Sequence, residues 1–221
     1  MSVKVRVWDL PTRIFHWALV FCVISLITTA HIGGAAMAWH FRLGYGALSL
    51  LLFRMVWGLM GGYWSRFSTF IYSPRTLIRY LRGQGGPELA IGHNPTGAGS
   101  VFAMLLFLLL QIASGLISDD EISASGPFTH KVSNAWVERA TFYHTKIGQP
   151  VLYALLGLHV CAILFYLWRK RQNLIRPMLW GDKDVVQAAA SSRDDWRSRA
   201  LAALVFVVCV SLVLLMLTFA R

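Results

Sequence analysis

The chain has 221 residues, of which 56% are hydrophobic and only 14% are charged, and its mean hydropathy is +0.54. This composition excludes an ordinary soluble domain and predicts a protein that lies in a lipid bilayer. The formal net charge is +11, but basic residues that border long apolar runs are typical of topology signals, so nucleic-acid binding is not predicted.

Five apolar runs approach the length needed to span about 30 Å of hydrocarbon. They lie at residues 14–32, 43–62, 98–118, 147–168 and 201–220. The first run follows basic residues, as a signal peptide would, but it is long and has no clear cleavage signature, so we expect it to be retained. Cys22, Cys161 and Cys209 lie within these runs without a CxxC or CxxCH motif, so neither a zinc site nor covalent haem attachment is indicated.

Lysine and arginine residues are distributed unequally between the two ends of the spans. Fifteen belong to the N-terminus and to the segments after the second and fourth spans: Lys4, Arg6, Arg13, Arg66, Arg75, Arg79, Arg82, Arg169, Lys170, Arg171, Arg176, Lys183, Arg193, Arg197 and Arg199. The opposite side has five, with an acidic run: Arg42, Lys131, Arg139, Lys146 and Arg221, and Asp119, Asp120 and Glu121. By the positive-inside rule, the N-terminus is cytoplasmic and the C-terminus is periplasmic, which predicts a multi-pass protein of a bacterial inner membrane.

The first span carries His16 near its cytoplasmic end and His31 at its other end. Burying a histidine in a membrane without a partner is costly, so we interpret His16 as functional rather than as an interfacial residue beside Trp17.

The second span begins at His40, and Gly44 and Gly46 follow about one turn later. Glycine allows a planar group or another backbone to approach a helix closely. Arg54 lies fourteen residues after His40, roughly 21 Å deeper and about 40° away around the helix. It is either a partner for an anionic cofactor group or an arginine that reaches the cytoplasmic headgroups.

The fourth span contains His144 and His159, which are fifteen residues apart. In a helix they lie roughly 22 Å apart and about 60° apart in rotation, so they share one face at two depths. This pattern indicates two stacked metal centres. Because the span runs opposite to the first, His159 reaches the depth of His16.

Two histidines in the periplasmic half of the membrane are candidates to face His144, namely His31 and His40. Their spacing in the sequence does not decide between them. The neighbouring glycines favour His40. Pro150 lies between the two histidines of the fourth span, where it either kinks the helix or marks its first turn.

The remaining features have simpler interpretations. His93 and His130 lie in loops, where solvated histidines are expected, and Asn94 with Pro95 predicts a turn that leads into the third span. The segments GQGGPELAIG and DKDVVQAAASSRDDWRSR are interpreted as connectors. The fifth span has no ionisable residue at 201–220 and is interpreted as a packing or anchoring helix.

Several segments together resemble the bacterial cytochrome b561 family, which includes the b-type cytochrome subunits of nickel-iron hydrogenases. They are RIFHW in the first span, WHFRLGY and FRMVWGLMGG in the second, GHNPTGA before the third, YH and GLHVCAILFY in the fourth, and NLIRPMLWG after it. The resemblance covers roughly residues 4 to 181.

The resemblance implies an all-α integral membrane four-helix bundle that binds two non-covalent b haems. His16 and His159 would ligate the cytoplasmic-side iron, and His40 and His144 the periplasmic-side iron. The family's spacing between the two histidines of the fourth helix differs slightly. We therefore divide the chain into a diheme cytochrome b domain, residues 1–181, and a linker with the fifth transmembrane helix, residues 182–221.

Iron with two axial imidazoles has no open position for a substrate, which favours electron transfer. The resemblance therefore implies an electron-transfer oxidoreductase component between the quinone pool and a periplasmic redox protein, such as a c-type cytochrome or a dehydrogenase subunit. One alternative is a superoxide oxidase, since Lys131, Arg139, Lys146 and Arg42 would attract an anion near the outer haem. A second is a non-redox transporter, disfavoured because the spans contain few polar interruptions. The oligomeric state is open, a homo-oligomer included.

Overall fold

The computed structural model describes residues 3–120, 124–186 and 188–220. Within these residues, five helices are long and apolar enough to cross a membrane: Leu10–Ile32, Gly34–Met60, Glu88–Gly115, Asn134–Trp168 and Trp196–Thr218. Each contains most of one predicted span. The prediction of an all-α integral membrane fold is therefore confirmed.

The elements follow one another in the order β1, α1 to α7, β2 and α8. Their bounds are Val3–Arg6 for β1, Leu10–Ile32 for α1, Met37–Met60 for α2, Pro74–Leu81 for α3, Pro95–Gly115 for α4, Asn134–Phe142 for α5, Gln149–Trp168 for α6, Ile175–Trp180 for α7, Asp182–Val185 for β2 and Trp196–Thr218 for α8. A π-helical segment, Tyr143–Gly148, joins α5 to α6.

The chain packs as two compact units. The first comprises the residues up to Phe15, Arg54–Ala103 and Gly157–Val205. The second comprises His16–Phe53, Met104–Leu156 and the residues from Phe206 onward.

In the first unit, β1 and β2 form a two-stranded antiparallel sheet. Lys4 pairs with Asp184 and Arg6 with Asp182, and the Arg6 Nε lies 2.7 Å from the Asp182 carboxylate. Opposite charges directly across a strand pair stabilise it. The interpretation of this part of the linker as a connector was therefore wrong, because a strand of four residues is specified by its distant partner rather than by a local pattern.

Asp9 organises the start of α1 in the first unit. Its buried carboxylate accepts hydrogen bonds from the backbone N–H of Thr12 (2.9 Å), the indole N–H of Trp57 (3.1 Å), the N–H of Gly62 (2.8 Å) and the hydroxyl of Ser65 (3.0 Å). Because an aspartate before the first turn satisfies free helical N–H groups, α1 begins at Leu10, earlier than the apolar run indicates.

Asp194 joins the first turns of α1 and α8 in the same unit. It accepts hydrogen bonds from the Leu10 N–H (3.1 Å), the Arg6 Nη1 (2.9 Å) and the Arg199 Nε (3.0 Å). Burial opposes ionisation of Asp194, but the hydrogen bonds from Arg199 and Leu10 outweigh it and lower the pKa of this carboxyl group.

In the second unit, α8 packs against α2 through Phe53 and Phe206, whose ring centres are 6.0 Å apart. Cys209 and Val213 are also buried on α8. The boundary between residues 1–181 and 182–221 stays a prediction.

Candidate metal centre

His40 on α2 and His144 in the π-helical segment lie side by side in the second unit. Their ring centres are 6.4 Å apart and their planes are inclined by 80°. These are two of the four histidines that the sequence analysis selected, and they form one of its two predicted pairs.

Each imidazole is held through its Nδ1 atom. The His40 Nδ1 lies 3.1 Å from the carbonyl oxygen of Leu26 and 3.3 Å from the Thr29 hydroxyl, and the His144 Nδ1 lies 2.8 Å from the Gln111 carbonyl oxygen. Because a carbonyl oxygen only accepts, the proton of each neutral ring is on Nδ1. Each Nε2 then keeps its lone pair, the arrangement typical of histidines that ligate a metal.

The π-helical segment explains how the chain presents His144. Pro150 has no N–H and cannot continue an ordinary helical hydrogen-bond ladder. The chain has a wider turn before it, in which the N–H of Gln149 bonds to the His144 carbonyl oxygen. The helix that carries His144 begins at Asn134, and Pro150 lies two residues beyond the π-helical segment.

Gln111 on α4 contacts His144 twice. Its side-chain Nε2 donates to the main-chain carbonyl oxygen of His144 at 2.9 Å. Its main-chain carbonyl oxygen accepts a hydrogen bond from the His144 ring. The Ser114 hydroxyl lies 3.2 Å from the same Nδ1. The sequence analysis did not select Gln111, although a polar residue in the middle of an apolar span is the signal that identifies it.

Two glycines allow the close packing around His144. A Cβ atom at Gly115 would lie 2.8 Å from the His144 Cε1, and one at Gly148 would lie 2.0 Å from the Gln111 Oε1. Gly44 on α2 differs, because its Cβ position has open space around it. It follows His40 by about one helical turn and therefore lies on the same helix face.

Comparison with known proteins identifies the family. The chain matches the family model described as prokaryotic cytochrome b561 over residues 7–181. It therefore belongs to the prokaryotic cytochrome b561 family. The predicted resemblance is confirmed, and the protein is a membrane b-type cytochrome.

Several relatives are named as probable Ni/Fe-hydrogenase B-type cytochrome subunits. The one from Bradyrhizobium diazoefficiens is 23% identical over 214 residues, covering 81% of this chain and 85% of the relative. The one from Rhizobium leguminosarum bv. viciae is 22% identical, covering 81% and 89%. An Escherichia coli K12 relative, named for hydrogenase 1, is 27% identical over 135 residues, or 49% of this chain and 57% of the relative. No solved structure matches the chain.

A b-type cytochrome binds haem b, and the His40 and His144 rings fit such a group. Two opposed imidazoles, each about 2.0 Å from a metal and with the ring centre about 1.1 Å beyond the nitrogen, have centres about 6.2 Å apart. The observed separation is 6.4 Å. Within the described residues no cluster of three or more His, Cys, Asp and Glu side chains is arranged to hold a metal. A pair of imidazoles suits a metal that brings its own equatorial ligands, as haem iron does.

His31, the alternative to His40, is placed differently in this cytochrome. It is exposed at the end of α1, and its Nδ1 bonds to the carbonyl oxygen of Ile27 within the same helix, at 2.8 Å. The structure thus brings His40, not His31, next to His144. The assignment of iron ligands stays a prediction.

His16 and His159 are both partly buried within spans. His16 makes an edge-on contact with Trp17 at 5.0 Å, and His159 lies on α6. His16 is in the second unit and His159 in the first, and their pairing stays a prediction.

Arg54 is 3% exposed, deep in the first unit. Its guanidinium lies over the ring of Phe67, 4.6 Å from the centre. Phe67 in turn fills the space above Gly58, where a Cβ atom would lie 2.1 Å from its ring. The Arg54 Nη1 atom has no hydrogen-bond partner among the described residues. Such a buried donor fits an anionic group, the first of the two interpretations of Arg54.

The two loop histidines differ from each other. His93 packs between the rings of Trp8 (4.6 Å) and Phe70 (4.4 Å), so the expectation that it is solvated was wrong. The reason is the sheet, which brings Trp8 to this loop. The adjacent Asn94 caps α4 by accepting from the Gly97 N–H at 2.7 Å, as predicted. His130 is exposed.

The described charged residues predicted to face the periplasm lie in helices and in the loop before α5. Asp120 accepts from the Ala124 N–H at 2.8 Å, whereas Glu121 and Arg221 lie outside the described residues. The guanidinium groups of Arg42 and Arg139 stack over Trp39 and Trp136 at 5.0 and 5.5 Å from the ring centres.

Proposed function

We propose that this protein is a diheme b-type cytochrome that transfers electrons between the quinone pool and a periplasmic redox partner. His40 and His144 hold one haem b, and His16 and His159 hold the second. A haem held by two histidines would supply outer-sphere electron transfer rather than substrate binding at the iron.

The observation that carries this proposal is the His40 and His144 pair. Two imidazoles with a 6.4 Å ring separation, each held at Nδ1 by a carbonyl oxygen, leave their Nε2 atoms as candidate metal ligands and support this proposal. Rings held in this way let such a centre change its oxidation state with little movement of its ligands.

The relatives support a redox enzyme as the partner. Proteins that are 22–27% identical to this chain are named as probable Ni/Fe-hydrogenase B-type cytochrome subunits. A hydrogenase or another dehydrogenase subunit is therefore the first partner to test, ahead of a c-type cytochrome. The surplus of basic residues beside the N-terminus supports a cytoplasmic N-terminus in a bacterial inner membrane, with the partner on the opposite side.

Rapid mixing of the oxidised protein with a quinol tests the proposal. We expect the haem absorption bands to become reduced, with a slower or smaller change in His144→Ala than in wild type. His31→Ala is the matched control, because it removes an exposed histidine whose Nδ1 atom bonds within its own helix. If dithionite reduces the haems but no quinol reduces them, the proposed link to the quinone pool is contradicted. Haem reduction by superoxide, followed by quinone reduction, would support the superoxide oxidase alternative instead.

A further inference from the structure

The short helix α3, Pro74–Leu81, lies in the first unit between the second and third spans. Ser73 caps it by accepting from the Thr76 N–H at 3.2 Å. With eight residues it is about 12 Å long and cannot cross a bilayer. It is nevertheless strongly amphipathic, and its side chains divide into three faces.

One face attaches α3 to the protein. Tyr80 is partly buried, and its hydroxyl lies 2.8 Å from the Tyr166 hydroxyl near the end of α6. Asn94 donates to the same Tyr166 oxygen at 2.7 Å. Burial and the hydrogen bond with Tyr166 raise the pKa of Tyr80, so its phenol stays protonated and the attachment is maintained at neutral pH.

The second face is apolar and exposed. Leu77, Ile78 and Leu81 are 36%, 48% and 67% exposed, and Ile71, just before the helix, is 68% exposed. At 100° per residue the three helical side chains fall within about 100° of one another, and Tyr80 lies about 60° beyond Leu77 at the edge of this face. In water such a cluster would be unfavourable, because exposed aliphatic side chains gain free energy when they leave water.

The third face is basic. Arg75 and Arg79 lie next to the apolar face, and Arg82 follows at the end of the helix. All three are exposed. Within the described residues none of them forms a salt bridge, so their charges are available to an external anion.

We propose that α3 lies in the membrane–water interface and binds anionic phospholipid. Leu77, Ile78 and Leu81 enter the acyl region, while Arg75, Arg79 and Arg82 bind the headgroup phosphates. An apolar stripe flanked by cations is the pattern of an interfacial helix. In the sequence α3 lies between two membrane-spanning helices, Gly34–Met60 and Glu88–Gly115, so a bilayer surface is available to it.

The depth of α3 is tested with a fluorophore on the full-length protein. Bimane is attached to Leu81→Cys or to Arg79→Cys, in a background without the three native cysteines and in vesicles of POPC and POPG. The two positions lie about 160° apart around the helix. We expect doxyl-labelled lipid to quench position 81 more strongly, and aqueous iodide to quench position 79 more strongly. Equal quenching of both by iodide, with none by the lipid, would overturn the proposal and indicate a protein-binding surface.

Headgroup binding is tested by native mass spectrometry of the delipidated, haem-loaded protein mixed with equal amounts of POPG and POPC. Each arginine at an anionic surface contributes about a five-fold preference. The variant Arg75→Gln/Arg79→Gln/Arg82→Gln should lose most of the preference for POPG.

The control variant, Lys131→Gln/Lys170→Gln/Arg193→Gln, removes the same charge from scattered exposed positions. It should keep the wild-type preference. An unchanged preference in the α3 variant, or an equal loss in the control, would overturn headgroup binding by α3. The haem absorption spectrum of each variant verifies that it is folded.

Discussion

Gly115→Ala changes the packing against His144 without altering any polar group. A Cβ atom at this position would lie 2.8 Å from the His144 Cε1 and 3.2 Å from its Nδ1. Carbon atoms in contact are normally about 3.5–4.0 Å apart. The imidazole must therefore retreat by about 0.7 Å or more, while its hydrogen bond to the Gln111 carbonyl oxygen holds it in place.

The expected cost follows from how metal sites respond to their supporting residues. Disturbing the groups that orient a ligand weakens metal affinity about 10–100-fold, which equals about 1.4–2.7 kcal/mol. We expect a loss of this size for the haem held by His40 and His144. Alanine is a better helix former than glycine by about 0.8–1 kcal/mol, so a weaker helix would not explain the loss.

The assay is a haem titration of the purified apoprotein, followed by a redox titration of the loaded protein. Gly99→Ala is the matched control, because it makes the same change in the same helix where the Cβ position is open. Gly99→Ala should behave as wild type. A Gly115→Ala protein that binds haem with wild-type affinity and potential would refute the close packing of Gly115 against His144.

Three further perturbations test other parts of the structure. Gln111→Leu removes the 2.9 Å bond to the His144 carbonyl oxygen, so the redox potential of one haem should shift while that of the other is unchanged. Asp9→Ala leaves several buried donors unpaired and should lower the free energy of unfolding by about 3 kcal/mol or more, unlike the exposed control Glu138→Ala. Burial lowers the pKa of Lys183 to about 8 from 10.5. Between about pH 8 and pH 10.5 Lys183 therefore binds more protons in the unfolded chain than in the folded protein. The free energy of unfolding should rise with pH in this range, by up to about 3 kcal/mol. Unfolding temperatures of Lys183→Met should lack this rise, and an unchanged rise would contradict the burial of the ammonium group.

The spans could be predicted because their signals are local: an apolar run of span length needs no partner to be recognised. The neighbour of His144 was less determined, since spacing alone left His31 and His40 open, and the structure places His40 beside it. The start of the helix that carries His144 was predicted too late, at residue 147. The helix begins at Asn134, and hydropathy did not reveal this because the residues of its first turns are partly polar.

Other features depend on distant partners. Gln111 meets His144 across 33 positions, and β1 meets β2 across more than 170. No periodicity in either segment specifies these contacts. The packing of His93 was mispredicted for the same reason, because it depends on Trp8, which the sheet brings to that loop.

The most direct test of the proposed diheme cytochrome is a pyridine haemochrome assay with reduced-minus-oxidised spectra. It is applied to wild type and to His16→Ala, His40→Ala, His144→Ala, His159→Ala and the control His31→Ala. The account predicts about two b haems per chain in wild type and in His31→Ala, with loss or a spin-state change of one haem in each of the other four. One haem or none in a well-folded wild type, or sensitivity at His31 with indifference at His40, would contradict it.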